Sequence, residues 1–139
     1  MMRVYTTNYF DSFIEVAEDC PATLGVVPRP RGGQPTVASL QFDLLQNNPY
    51  RYTSDDLLFM VFAIRKDIPE SEWGEQKSGF FSKGQACLRA SPLTKTYGWG
   101  VHSNAMGKVA IYGMETEAYR RFQEDPALKK LKAMRSKRA

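Results

Sequence analysis

Between positions 87 and 95 the sequence gathers a thiol, a guanidinium, two hydroxyls and an ammonium: Cys87, Arg89, Ser91, Thr94 and Lys95. Arginine and lysine supply positive charge, and serine and threonine supply hydrogen-bond donors. Together they suit a carboxylate or a phosphate. A few residues on, Gly98 and Gly100 alternate with Tyr97, Trp99 and Val101. Side chains alternate faces along a strand, so both glycines share a face with His102. Two glycines in one strand make room for a close neighbour. That neighbour is either a packing helix or a ligand floored by the glycines, with His102 at its rim. Histidine is the side chain best matched to proton transfer near neutral pH. Arg89, Ser91, Lys95, Gly98, Gly100 and His102 are therefore the candidate site for a small anionic ligand. Cys87, with His102 as its base, is a candidate nucleophile; a cysteine packed as a small hydrophobe is the alternative.

Other signatures of chemistry are missing. Gly98-x-Gly100 has no third glycine and lies within a strand rather than at a strand-to-helix turn. Gly107-Lys108 has His102 where a phosphate loop needs its first glycine. One histidine and two distant cysteines do not make a zinc ligand set. The sequence calls for no metal and no cofactor.

A second basic feature lies at the C-terminus. Six of the 19 basic residues follow Asp125, and none of the 15 acidic ones does. These six, Lys129, Lys130, Lys132, Arg135, Lys137 and Arg138, are candidate contacts for nucleic-acid phosphates. Ala127, Leu128, Leu131 and Met134 form an apolar stripe at helical spacing, which predicts a basic amphipathic helix over 126–138. Such a helix either binds nucleic acid or docks on the body with its lysines in solvent.

Elements to position these groups follow from pattern. Ser12–Ala17 is β-branched and aromatic and reads as a strand. Pro28-Arg29-Pro30-Arg31-Gly32-Gly33-Gln34-Pro35 is a loop. Val37, Leu40, Leu44 and Leu45 give a helix near 36–46. Thr53 or Ser54 caps a second near 54–65, apolar on all sides and hence expected to be buried all round. Trp73, Phe80 and Phe81 mark a third near 70–82, with Gly84 as its terminal glycine. Residues 96–113 read as a hairpin, and helices follow near 117–124 and 126–136. The expected architecture is α+β, a small antiparallel sheet covered by helices in a single domain. At 139 residues with 42% hydrophobic residues, the chain can bury a core without staples. Cys20 and Cys87 are expected to stay reduced. The longest apolar run, Leu57–Ile64, is far short of the ~20 residues a membrane span needs, so a cytoplasmic protein without a membrane partner is expected.

Several strings go beyond pattern: Phe13-Ile14-Glu15-Val16-Ala17-Glu18-Asp19-Cys20-Pro21, Asn48-Pro49-Tyr50-Arg51-Tyr52-Thr53-Ser54-Asp55-Asp56, Phe81-Ser82-Lys83-Gly84-Gln85, Ser91-Pro92-Leu93-Thr94-Lys95, Tyr97-Gly98-Trp99-Gly100-Val101-His102-Ser103 and Lys132-Ala133-Met134-Arg135-Ser136-Lys137-Arg138. On these strings the chain resembles a family of small single-domain microbial proteins of unknown function, over nearly its whole length. The resemblance implies one domain and supplies no catalytic residue. Three functional readings follow. The first is a binding module for a small anionic ligand or nucleic acid. The second is a small enzyme using His102 as acid and base on an anionic substrate. The third is an interaction protein with no small ligand.

Overall fold

The computed structural model describes residues 5–136. Local capping sets the first two helices. Thr36 accepts from the Ser39 amide while the Ser39 hydroxyl accepts from the Thr36 amide, and α1 runs over Val37–Asn47. Thr53 and Asp56 repeat that reciprocal arrangement at the start of α2, Ser54–Arg65. Each box satisfies backbone donors that a helix start leaves unpaired. A 3-10 turn at Glu70–Glu72 leads into α3, Trp73–Phe80. That helix ends four residues before Gly84, which has no role in stopping it. A second 3-10 turn, Leu88–Ala90, precedes the short α4, Pro92–Lys95, capped by the Ser91 hydroxyl. Thr116 caps α5, Glu117–Glu124.

The strands are β1 (Ser12–Glu15), β2 (Trp99–Ser103), β3 (Val109–Gly113) and β4 (Lys129–Lys132), in the spatial order β3-β2-β1-β4. The predicted hairpin is present, with strands shorter than the 96–113 span. Residues 92–95 are helical, and Asn104 accepts from the Met106 and Lys108 amides across the turn. Gly107 completes that turn at φ +78, a conformation that L side chains rarely adopt.

The expected helix over 126–136 is not formed. Lys129–Lys132 pairs parallel with β1, placing Leu131 beside Ile14. The sheet is therefore mixed rather than antiparallel, within an α+β fold. Two facts outweigh the helical stripe. Leu131 and Ala133 also alternate with Lys130 and Lys132, so they fit a strand equally well. Without β4, β1 would be an open sheet edge beside a buried core. Local propensity over so short a segment is a weak determinant against such pairing.

One face of the sheet presents Ile14, Val101, Val109 and Ile111 to a core that also contains Phe42 and Leu45 of α1, Leu57 and Val61 of α2, and Leu88 and Leu93. The other face carries Phe13, Gly100, His102 and Tyr112 beneath α5. Phe13 meets Tyr119 edge-on at 5.0 Å and Phe122 at 5.2 Å. A second cluster joins α2 to α3 through Phe59, Ala63 and Phe81, with Phe62, Trp73 and Phe80 packed against it. The all-apolar α2 is central, but it is not buried all round. Ile64 is 37% exposed, and Leu58, Met60 and Phe62 are half-buried because they face clefts. No helix among the described residues is long and apolar enough to cross a membrane. Cys20 and Cys87 are both free thiols.

Candidate functional site

The residues singled out in the sequence divide between the two faces. Gly100 has its close neighbour within the protein: a Cβ there would sit 2.6 Å from Phe13 Cζ and from Tyr119 Cε2. Gly98 lies just before β2 at φ +81, where a Cβ would be 2.3 Å from the Leu24 carbonyl oxygen. His102 stacks on Phe122 at 4.3 Å, and its Nδ1 is 2.8 Å from the Tyr50 hydroxyl. Tyr50 in turn is 2.7 Å from the Tyr112 hydroxyl and holds an unusual backbone φ of +60. Cys87 has a different partner, the Tyr9 hydroxyl at 3.4 Å. That bond raises the Tyr9 phenol above its ordinary value, with burial adding to it. Arg89 donates from Nε to the Lys132 carbonyl at 2.8 Å, and its own carbonyl accepts from the Met134 amide. Lys95 closes the last turn of α4. Lys95 thus lies on the helix packed against the turn that carries Arg89, and His102 lies on the Phe122 side of the sheet.

The basic tail is largely engaged. Lys132 and Arg135 both pair with Glu18, and Lys130 donates to the Asp125 and Leu128 carbonyls. Lys129 is exposed. Lys137 and Arg138 lie outside the described residues.

Burial lowers the His102 imidazole below its ordinary value of 6.5, against the pull of Asp11 and Asp125. The folded protein therefore binds this proton less readily than the unfolded chain. The stability gained by keeping His102 neutral is complete above 6.5 and is lost as pH falls from there through the depressed folded value. Urea midpoints should fall between about pH 7 and pH 5, and His102→Gln should flatten that part of the profile. An unchanged slope in the variant would assign the titration to another group.

Several clefts hold polar groups beside apolar walls. One, of about 360 Å³, is lined by Tyr52, Asp56, Phe59, Met60, Trp73, Gly74 and Lys77. Its charges satisfy each other: Lys77 donates to Asp56 at 2.8 Å. Burial alone would raise the Asp56 carboxyl, but Lys77 and the Thr53 donors outweigh it and hold it below its ordinary value. A second, also about 360 Å³, holds Glu15, Glu18, Cys20, Tyr119, Gln123 and Lys132. There Glu18 pairs with Lys132, and Gln123 donates to Glu15.

The third differs. It lies between α1 and α2, has a volume of about 210 Å³, and is walled by Val37, Leu58, Val61, Phe62 and Phe80, with Gln41, Arg65 and Gln85 as its polar members. Gln41 is 2% exposed. Its Oε1 accepts from the Ser91 hydroxyl at 2.6 Å. The Ser91 oxygen also accepts from the Leu93 amide, and its proton goes to Gln41 Oε1, which leaves Nε2 on the other side of the carboxamide. Nε2 has no acceptor among the described residues and is open to the cleft that Gln41 lines. Arg65, at the C-terminal end of α2, makes no ion pair among the described residues. Gln85 is held by its own Nε2 bond to the Phe80 carbonyl, 2.8 Å. The arrangement can hold a carboxylate at Gln41 and Arg65 while burying an apolar body.

Of the sequence candidates only Ser91 touches this site, one bond removed from the cleft. Gln41 and Arg65 were not anticipated. The one usable signal was the excess of apolar surface on α2, more than a helix packed on two sides needs. No group of three or more His, Cys, Asp or Glu among the described residues is placed to hold a metal ion. A family model described as a family of unknown function (DUF6157) matches residues 4–139. No curated protein and no solved structure matches the chain.

Proposed function

The chain belongs to this family of unknown function, and from its geometry we propose that it is a binding module for a small carboxylate with an apolar body, held in the cleft between α1 and α2. The observation that carries this reading is Gln41. Its Nε2 has no acceptor among the described residues and is open to the cleft. A carboxylate oxygen in the cleft would satisfy it, and the Arg65 guanidinium would share the charge. Leu58, Val61, Phe62 and Phe80 would then cover the apolar body. The lining supplies donors, a cation and apolar surface, which are the elements of recognition. No imidazole, thiol or carboxylate base is among them, so binding is favoured over catalysis here. Tail phosphate contacts receive less support, because Lys130, Lys132 and Arg135 are engaged within the protein.

Calorimetric titration with hexanoate, hexylamine and hexanol tests the reading. A ligand of about eight heavy atoms should bind at roughly 0.1–1 mM. Hexanoate should bind in that range, hexanol at least tenfold more weakly, and hexylamine not at all. Equal binding of all three, or none, would overturn the proposal.

A further inference from the structure

A second compartment of about 380 Å³ adjoins the Gln41 cleft and is lined by Phe62, Gln76, Gly79, Phe80, Lys83 and Gln85. Phe62, Phe80 and Gln85 line both compartments. This boundary is ordered: the two rings pack at 4.7 Å, and Gln85 is tied to the Phe80 carbonyl. The inner compartment offers a carboxylate both the Gln41 carboxamide and the Arg65 guanidinium, whereas the outer one offers the exposed Lys83. An apolar chain leaving Gln41 and Arg65 passes over the Phe62 and Phe80 rings into the outer space.

Gly79 points the same way. It lies inside α3, where glycine costs about 0.5–1 kcal/mol relative to alanine, yet a Cβ there would meet nothing within 4 Å. Its φ is not in the left-handed region. Neither packing nor backbone conformation requires a glycine. What its missing side chain leaves is open space in the outer compartment.

From these features, and resting on the carboxylate reading of the inner cleft, we infer that the ligand is a medium-length linear aliphatic carboxylate, its head at Gln41 and Arg65 and its chain extending past Phe62, Phe80 and Gln85 into the compartment beside Gly79. Chain length is then a specificity determinant, and Gly79 is the position that sets it.

The test compares hexanoate, octanoate and decanoate on the full chain and on Gly79→Trp, with Gly79→Leu as a smaller block. In the wild type each added methylene should tighten binding by up to three- to fourfold, the value for complete burial. Decanoate should therefore bind between tenfold and a few hundredfold more tightly than hexanoate. Gly79→Trp should leave hexanoate unchanged and bring decanoate back to within about threefold of it, with Gly79→Leu intermediate. A wild-type affinity that stops rising at hexanoate would overturn the extension while leaving the carboxylate reading intact. So would decanoate binding unaffected by either substitution. If hexanoate itself fails to bind, the underlying reading fails with it. Thermal melts of both variants, expected to match or exceed wild type, exclude misfolding; if both melt early, Gly79 is structural and its assignment as the length-setting position is wrong.

Discussion

Ending the chain at Pro126 is expected to unfold the protein rather than merely lower its charge. The deletion removes all of β4 and with it the parallel ladder to β1. It also removes three backbone bonds that anchor the segment: Lys129 to the Asp11 carbonyl, Ala133 to the Glu15 carbonyl and Met134 to the Arg89 carbonyl. Ala133, 5% exposed, belongs to the main core, and Leu131 packs on it. Each lost hydrogen bond is worth about 1 kcal/mol, more where a buried group is left unpaired. The newly exposed β1 edge lies over Phe13 and Ile14, both essentially buried. The sum is comparable to the ~5–15 kcal/mol by which native proteins are stable. Circular dichroism of the truncated chain should show no cooperative thermal transition. A folded truncated protein differing only in its retention on nucleic acid would instead make 127–139 a phosphate-binding tail.

Gln41→Glu should reduce hexanoate affinity by about 100-fold or more. The substitution keeps an oxygen to accept the Ser91 proton but replaces the free donor with a second acceptor bearing charge. Two like charges about 4 Å apart at an effective dielectric of 20 repel by roughly 4 kcal/mol. The lost charge-assisted hydrogen bond adds about 1.5–3 kcal/mol. Because a buried charge also destabilises the fold, Gln41→Met serves as the neutral companion, with an expected loss of about tenfold. Calorimetry on both, beside their melting curves, separates affinity from stability. Undiminished hexanoate binding in a folded Gln41→Met would remove the carboxamide from the site.

The parts of the fold that were legible in the sequence are those held by short-range chemistry. Thr36 with Ser39, Thr53 with Asp56 and Thr116 with the Tyr119 amide are all three residues apart. Asn104 and Gly107 likewise fix the hairpin turn within a few positions. β4 was illegible because its partner is β1, more than a hundred residues earlier. The string Lys129-Lys130-Leu131-Lys132-Ala133 satisfies helical and strand periodicity together, and only the need to cover β1 decides between them. The site was illegible for the same reason. Gln41 reads as an ordinary polar residue on α1 until Ser91, 50 positions away, buries and orients it. Ser91 was anticipated as a ligand contact, and its hydroxyl instead holds the group that faces the cleft. His102 was rightly placed on the glycine face. There it meets the Tyr50 hydroxyl, 52 positions earlier, and the ring of Phe122.

The central claim is that the Gln41 carboxamide is the donor a carboxylate meets. The most direct measurement follows the Gln41 side-chain amide signals by heteronuclear NMR during the hexanoate titration, with the Trp73 indole as the reporter of the neighbouring aromatic cleft. The account predicts that both Nε2 protons shift along the calorimetric isotherm while the Trp73 indole, held by the Ile68 carbonyl, stays in place. Saturation of the protein with the Gln41 signals unmoved, and the shifts gathered at Trp73 or His102 instead, would contradict it.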